Sequence, residues 1–421
     1  MSEPQNKYGA YLIVPFKYDE DTLNLSLLEE LCPRAMVETM DLTENIKAMY
    51  NTAGDMAVGS VHPVKRRLLV EALCGSDHYK GCSVRSEGRD YSFDILPSYL
   101  YVFHTRVAFL CVGLSFECME ALYAICNPGF AENDSVFFRH SPSGETAVFS
   151  MEDWLETFMA PFGMKKFFDG KASLILEAYA YILALVPQPY KTLEQLRHVT
   201  FNLHQMLPID NVVEDDSEQD IRYVYAVKNN GTYRWGCCVA SQTISYAVAD
   251  AEADLEMEMK TQARDGLPLV LLSLYEKYTC LRFTQLISQD SRMRSRELKG
   301  LKSLMLKFKA FGTVTPANVS RWNNVREIFA CMQQVNDVQT AVEDISSKIT
   351  ILTEHQQEIE RSRNETVVNI ITIFGIVSIL ASVMSIVQIL ADGDPLIWAS
   401  TVLTSLVLAA TFLIAALKFR K

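Results

Sequence analysis

TVVNIITIFGIVSILASVMSIVQILA, residues 366–391, and LIWASTVLTSLVLAATFLIAAL, residues 396–417, decide how this chain is organised. Neither run contains Asp, Glu, Lys, Arg or His, and only Asp392, Gly393, Asp394 and Pro395 separate them. A helix needs about 20 apolar residues to cross a bilayer, and both runs reach that length. Core helices of soluble proteins seldom run so far without a charge. The expected fold is an α+β cytosolic domain, then a long helical stalk, then a C-terminal two-helix transmembrane hairpin.

Flanking charges set the orientation. Lys418, Arg420 and Lys421 follow the second run, Arg361 and Arg363 precede the first, and the connecting loop has no basic residue. The positive-inside rule then places both termini in the cytoplasm of a multi-pass protein of the cell (inner) membrane. Leu12 to Phe16 is too short for the core of a cleaved leader, so none is expected. Ten cysteines follow no disulfide-like spacing, and Cys237 and Cys238 are adjacent. Reduced thiols in a cytosolic body account for them most simply. A net charge of −12 argues against nucleic acid as the main partner, because phosphate contacts need Lys and Arg.

Residues 1–265 read as a cytosolic α/β domain and 266–365 as a helical region and stalk. The first transmembrane helix is expected at 366–391, an external loop at 392–395, the second helix at 396–417 and a basic cytosolic tail at 418–421. Branched and aromatic runs predict strands at 11–16, 99–104, 107–114, 136–138, 173–185, 221–227 and 233–241. Asn229-Asn230-Gly231 is a hairpin-turn signal. Helices fit 64–73, 118–126, 151–159 and 193–206, and Ser150 with Asp153 and Thr192 with Gln195 resemble capping boxes. Helical spacing returns over 267–287 and 298–311, and Pro316 suits the first turn of the next helix.

From Pro316 to Ala391 there is no further proline, and Gly375 is the only glycine. Val325, Ile328, Met332 and Val335 follow a heptad seam. After a three-residue slip it resumes at Val338, Val342, Ile345, Ile349, Leu352 and Ile359. One unbroken helix over 316–391 would be about 110 Å long. Such a rod buries little of its stripe on one small subunit. It is therefore expected to pack against copies of itself rather than lengthwise on its own domain.

Catalytic motifs are missing: no GxxxxGK[ST] loop, no GxGxxG after a strand, no GxSxG and no HExxH occurs. No enzyme activity, catalytic residue, cofactor or metal site is assigned. His198 and His204 do not share a helix face, and Cys237 and Cys238 in a strand face opposite ways. Asp250, Glu252, Asp254, Glu256 and Glu258 read as a solvated helix face, and Asp215, Asp216, Glu218 and Asp220 as a solvated loop.

The first apolar run has a polar face. At about 100° per residue from Ser382, Gly375 falls at about +20°, Ser378 at about −40°, Ser385 at about −60° and Ile389 at about −20°. Toward the cytoplasm Val368, at about +40°, and Ile371, at about −20°, continue that face, while Asn369 points elsewhere. Two readings stay open. The face packs against another helix through small residues. Alternatively it lines a pore, where hydroxyls replace part of an ion's hydration shell and an apolar ring closes by dewetting.

An N-terminal α/β domain, a long helix running into a first span, a loop of a few residues, a second span and a short basic tail resemble the CorA-type divalent-cation channels. The segment from Asn364-Glu365 through TVVNIITIFGIVS is similar to the start of that family's first span. The likeness covers residues 265–421 in pattern. It implies a homopentamer whose first span lines the pore, with Val368 and Ile371 at the gate and Ser382 at a pore-lining position. The family's Gly-Met-Asn signature is absent: Ile389-Leu390-Ala391 and then Asp392-Gly393-Asp394-Pro395 stand there. Asp392 and Asp394 could supply an external ring of carboxylates that attracts cations, or simply close a turn. The implied function is conduction of cations, Mg or another divalent, gated by the cytosolic domain. A divalent cation would be the transported or regulatory ion. The implied partners are the lipid bilayer, further copies of the chain and a small regulatory ligand. Two other classes remain: a ligand-activated membrane effector of a signalling or phage-defence (CRISPR-associated) system, and a non-conducting membrane-anchored binding protein.

Overall fold

Residues 7–17, KYGAYLIVPFK, are apolar at nearly every position rather than at alternate ones, the pattern of a strand covered on both faces. The computed structural model bears this out. It describes residues 6–52, 57–74, 79–86, 88–127, 135–140, 146–170, 173–209, 224–250, 252–289, 295–390, 395–396, 399–400, 402–407 and 410. The chain divides into two compact units, residues 1–293 with 303–346, and 294–302 with 347–421.

The first half of the larger unit runs β1 (Lys7–Lys17), α1 (Leu25–Leu31), α2 (Glu44–Asn51), β2 (Gly59–Val64), α3 (Arg66–Cys74), β3 (Tyr79–Ser86), β4 (Arg89–Phe103), β5 (Val107–Phe116) and α4 (Met119–Cys126). Next come β6 (Ser135–His140), β7 (Thr146–Phe149), α5 (Met151–Met159), β8 (Lys165–Lys166), α6 (Ser173–Leu176), β9 (Tyr179–Val186) and α7 (Leu193–His204). Then follow β10 (Val224–Asn229), β11 (Thr232–Val239), β12 (Thr243–Ala249), α8 (Leu255–Asp265) and α9 (Leu267–Gln289). The remaining helices are α10 (Ser295–Lys307), α11 (Pro316–Val319), α12 (Asn323–Val335) and α13 (Val338–Leu390).

The strands form one sheet in the order β10-β11-β12-β9-β1-β5-β4-β3-β6-β7, with β2 on β4 and β8 on β1. β9 and β12 run parallel, with Thr243 opposite Ala180. Side chains alternate across β1. Tyr8, Ala10, Leu12, Val14 and Phe16 enter a core shared with α1, α3, α4, α5 and α7. Tyr11 faces the other way and donates its hydroxyl to the Met259 carbonyl of α8 at 3.0 Å. On that second face Phe103 of β4 stacks on Tyr275 of α9, with ring centroids 4.3 Å apart. Helices therefore cover both faces of the sheet. Each large apolar side chain buried there contributes about 1.5–3 kcal/mol.

Short-range signals in the sequence match local structure. Asn230 (φ 49°) and Gly231 (φ 83°) both take left-handed backbone between β10 and β11, as a type I′ hairpin turn requires. Thr192 and Gln195 form both arms of a capping box at α7. Ser150 caps α5 through one arm, accepting the Asp153 N–H at 3.1 Å. Residues 173–185 are not one strand: α6 occupies the first turn and β9 starts at Tyr179. Val64 ends β2 instead of opening a helix, and α7 stops at His204, two residues before left-handed Met206.

The expected unbroken helix over 316–391 is three helices. Ser320 is extended after α11, and Asp337 (φ 47°) turns the chain between α12 and α13. This second break falls where the heptad seam slips by three residues. The seam residues Val325, Ile328 and Met332 are buried, because α12 packs on α9, β10 and β11. That segment thus lies along its own domain, where it covers sheet surface that water would otherwise wet, instead of forming a free stalk. Further on, Val338, Ile345 and Ile349 of α13 are buried, whereas Ile351 and Ile359 are exposed.

In the second unit, Lys299 of α10 approaches Glu360 of α13 at 3.8 Å. α13 carries an 18-residue stretch apolar enough to cross a membrane, and none of it is buried. The described residues of the second apolar run, 396, 399–400, 402–407 and 410, are helical. Residues 391–394, including Asp392 and Asp394, lie outside the described residues, as does the acidic loop with Asp215, Asp216, Glu218 and Asp220.

Candidate functional site

The candidate pore face lies on one continuous stretch of α13. Val368, Ile371, Gly375, Ser378, Ser382 and Ser385 are all exposed, and the side chain of Ile389 lies outside the described residues. Nothing stands within 4 Å of where a Cβ on Gly375 would sit. The half-buried positions of this stretch are Ile373, Ile376, Leu380 and Met384. Measured from Ser382 they fall at about 180°, 120°, 160° and −160°. The covered stripe is therefore apolar and opposite the hydroxyl face, which stays open.

Hydroxyl geometry gives this face a sign. Ser382 Oγ donates to the Ser378 carbonyl at 2.9 Å, and Ser385 Oγ to the Ala381 carbonyl at 3.0 Å. A serine has one proton to donate and two lone pairs to offer. With the proton given back to the helix, only acceptor oxygen faces outward. Such a surface suits a cation and offers an anion nothing. Thr372 makes the same bond to the Val368 carbonyl at 2.8 Å.

The acidic alternation at 250–258 resolves into separate roles rather than one helix face. Asp250 accepts the Ala253 N–H at 3.1 Å ahead of the helix. Asp254 caps α8, accepting from the N–H groups of Glu256 at 2.8 Å and Met257 at 3.3 Å. Glu256 pairs with Lys260 at 2.8 Å, and Glu258 accepts from Gln262 Nε2 at 2.9 Å. Cys237 and Cys238 are both buried, and His204 bonds Thr243 Oγ1. Among the described residues no group of three or more His, Cys, Asp or Glu could hold a metal ion.

A second candidate is a cleft of about 260 Å³ in the larger unit, lined by Asp41, Trp235, Tyr246, Glu258, Asp265 and Asn324 above an apolar floor that includes Leu269 and Ile328. Trp235 and Tyr246 reach it from neighbouring strands, since Trp235 sits opposite Val248 and Cys237 opposite Tyr246. Tyr246 also stacks on Tyr181, with centroids 5.2 Å apart. Arg264 grips Asp265 with two bonds, of 2.9 and 2.7 Å, and Thr39 Oγ1 adds a third at 2.8 Å. Burial alone would raise the Asp265 carboxyl, but these bonds hold it below the ordinary range. Asp41 lacks those hydrogen bonds: burial, then the nearby Asp265 charge, push its carboxyl up, and the Arg264 charge opposes them only in part. Sequence reading missed this cleft. Its residues lie far apart in the chain, and the sequence marked Glu258 only as part of a solvated face and Val325 and Ile328 only as seam residues.

Compared with protein families, with curated proteins and with solved structures, the chain matches none of them.

Proposed function

We propose that this chain is a CorA-like membrane protein that conducts cations through a homopentameric pore. In this reading the first apolar run and residues 396–417 form a two-span hairpin, with both termini in the cytoplasm. Gly375, Ser378, Ser382, Ser385 and Ile389 line the pore, and Val368 and Ile371 close it. The observation that carries the reading is the exposed face of Ser378, Ser382 and Ser385, the last two with their hydroxyl protons given to the helix, opposite the half-buried apolar stripe. Carboxyl and hydroxyl oxygens bind hard cations by replacing water in the hydration shell. Asp392 and Asp394 follow Ile389-Leu390-Ala391, the stretch that corresponds to the family's Gly-Met-Asn, and act as an outer ring that concentrates cations. Mg or another divalent is the expected ion.

The test is ion flux in proteoliposomes. An apolar ring at Ile371 excludes water, so an ion there sheds hydration without replacement. Ile371→Ser should wet the ring and raise basal flux by about tenfold or more, whereas Asn369→Ser, off the face, should leave it unchanged. Equal behaviour of both variants in a conducting parent would mean the pore face is misassigned. A parent that never conducts would favour a membrane-anchored binding protein. The cleft beneath Asp41 favours one second reading, a ligand-activated membrane effector, in which cleft occupancy opens the same pore.

A further inference from the structure

We infer that the cleft between Asp41 and Trp235 binds a small organic cation, an alkyl amine protonated at neutral pH. This binding does not depend on whether the protein conducts. The cleft is lined by three carboxylates, two aromatic rings, three amide or hydroxyl side chains and apolar floor residues, with no Lys, Arg or His. An anionic phosphate ligand would meet like charge, and the nearby Arg264 is already committed to Asp265. A bare divalent cation asks for several grouped oxygens at fixed geometry, and no ligand cluster of that kind occurs among the described residues. An ammonium on a short apolar stem meets both demands: the charge pairs with carboxylate and the stem lies on the rings.

The carboxylates are not equivalent. Asp265 is saturated by Arg264 and Thr39. Glu258 already accepts from Gln262. The Asp41 carboxylate has no hydrogen-bond or ion-pair partner among the described residues, although its backbone N–H is held by Thr39 Oγ1 at 3.1 Å. The main chain thus fixes Asp41 in place while its charged end stays open toward the cleft. Burial, and after it the Asp265 charge, raise its carboxyl against the opposing effect of Arg264, and a cation paired with it would favour the ionised form. Trp235 and Tyr246 lie on the same sheet face and offer ring surfaces, which attract cations. A half-buried apolar pocket with a few convergent polar groups and a shifted carboxyl is the usual form of a small-molecule site.

Isothermal titration of the full chain in detergent tests this, with 1,4-diaminobutane and 2-phenylethylamine as probes and MgCl₂ and ATP as counter-probes. At least one amine should bind saturably. Asp41→Asn should weaken it by about tenfold, the scale of one lost charge-assisted contact. Trp235→Leu should weaken it by a similar factor, while Trp235→Phe, which keeps a ring, should retain most of it. Glu256→Gln, whose carboxylate pairs with Lys260 instead, should change nothing. Should Trp235→Leu fail to fold, Asp41→Asn and Trp235→Phe decide. The inference is overturned if neither amine binds up to about 10 mM, the weak end of measurable affinity. It is equally overturned if Asp41→Asn leaves amine affinity unchanged, or if Mg²⁺ or ATP binds where the amines do not.

Discussion

The buried carboxyl group of Glu276 accepts the backbone N–H of Val314 at 3.0 Å. Gln333 Nε2 completes the arrangement, reaching Glu276 Oε2 at 3.3 Å and the Val314 carbonyl at 2.9 Å. One residue of α9 thereby holds both the link that precedes α11 and the last turn of α12. Burial pushes the Glu276 carboxyl up to about 8, against the opposing effect of the two donors.

This gives a pH dependence with a definite sign. The folded value lies above the ordinary carboxylate range, so the folded state keeps a proton that the unfolded state has lost. Stability is then full at low pH and falls as pH rises from about 4.5 to about 8. The fall is on the order of a few kcal/mol. Glu276→Gln, which cannot ionise but loses one of the two acceptor oxygens, should flatten the pH dependence of thermal unfolding over that interval. An unchanged slope in the variant would assign the pH dependence to other groups.

The break at Asp337 should behave as a left-handed position. Asp337→Gly is expected to leave unfolding temperature unchanged or raise it. Asp337→Ile should cost about 1–2 kcal/mol, the penalty of left-handed backbone for a branched residue. If Ile is tolerated as well as Gly, α12 and α13 join without that turn.

Opposite faces of the first apolar run should separate in their effects. Ser382→Leu removes an outward acceptor and fills the proposed lumen, so flux in proteoliposomes should drop by about tenfold or more. Met384→Ser, on the half-buried stripe, should lower thermal stability instead. Lost flux from Met384→Ser with normal flux from Ser382→Leu would put the pore on the other side.

Asp392→Asn with Asp394→Asn should reduce cation conductance at low ionic strength, where a ring of like charge concentrates counter-ions. The loss should fade above about 0.5 M salt, where screening shortens the reach of charge. Equal conductance at low salt would leave these residues a turn only.

Native mass spectrometry in mild detergent should show a single closed assembly, expected to be a pentamer. The exposed apolar surface of α13, with Phe374 at 70% and Ile379 at 65% exposure, needs lipid or neighbouring copies to cover it. A monomer under several gentle conditions would remove the oligomeric part of the proposal.

Much of the structure was legible from the chain alone, and the legible parts share a short range. Thr192 with Gln195 and Asn230-Gly231 act within a few residues, so composition and spacing reveal them. The uncharged run in α13 is legible because a long apolar stretch without a charge is rare outside membranes. The break at Asp337 was visible only as a slip in the seam, since neither Pro nor Gly marks it. The pore face could be drawn from helical period, but which side of the helix is covered could not.

By itself the sequence determined the order of sheet domain and helices, the apolar run and the cluster of serines on one of its faces. Each follows from residue type and period along a single segment. Only the tertiary structure decided that α12 lies against β10 and β11 instead of standing free, that Glu276 is sealed against Val314, and that Asp41 meets Trp235 and Asn324 across one cleft. Those depend on burial and on strand order, which bring together residues well beyond the reach of one helix or hairpin, from 38 positions apart for Glu276 and Val314 upward, and no local pattern encodes such a meeting.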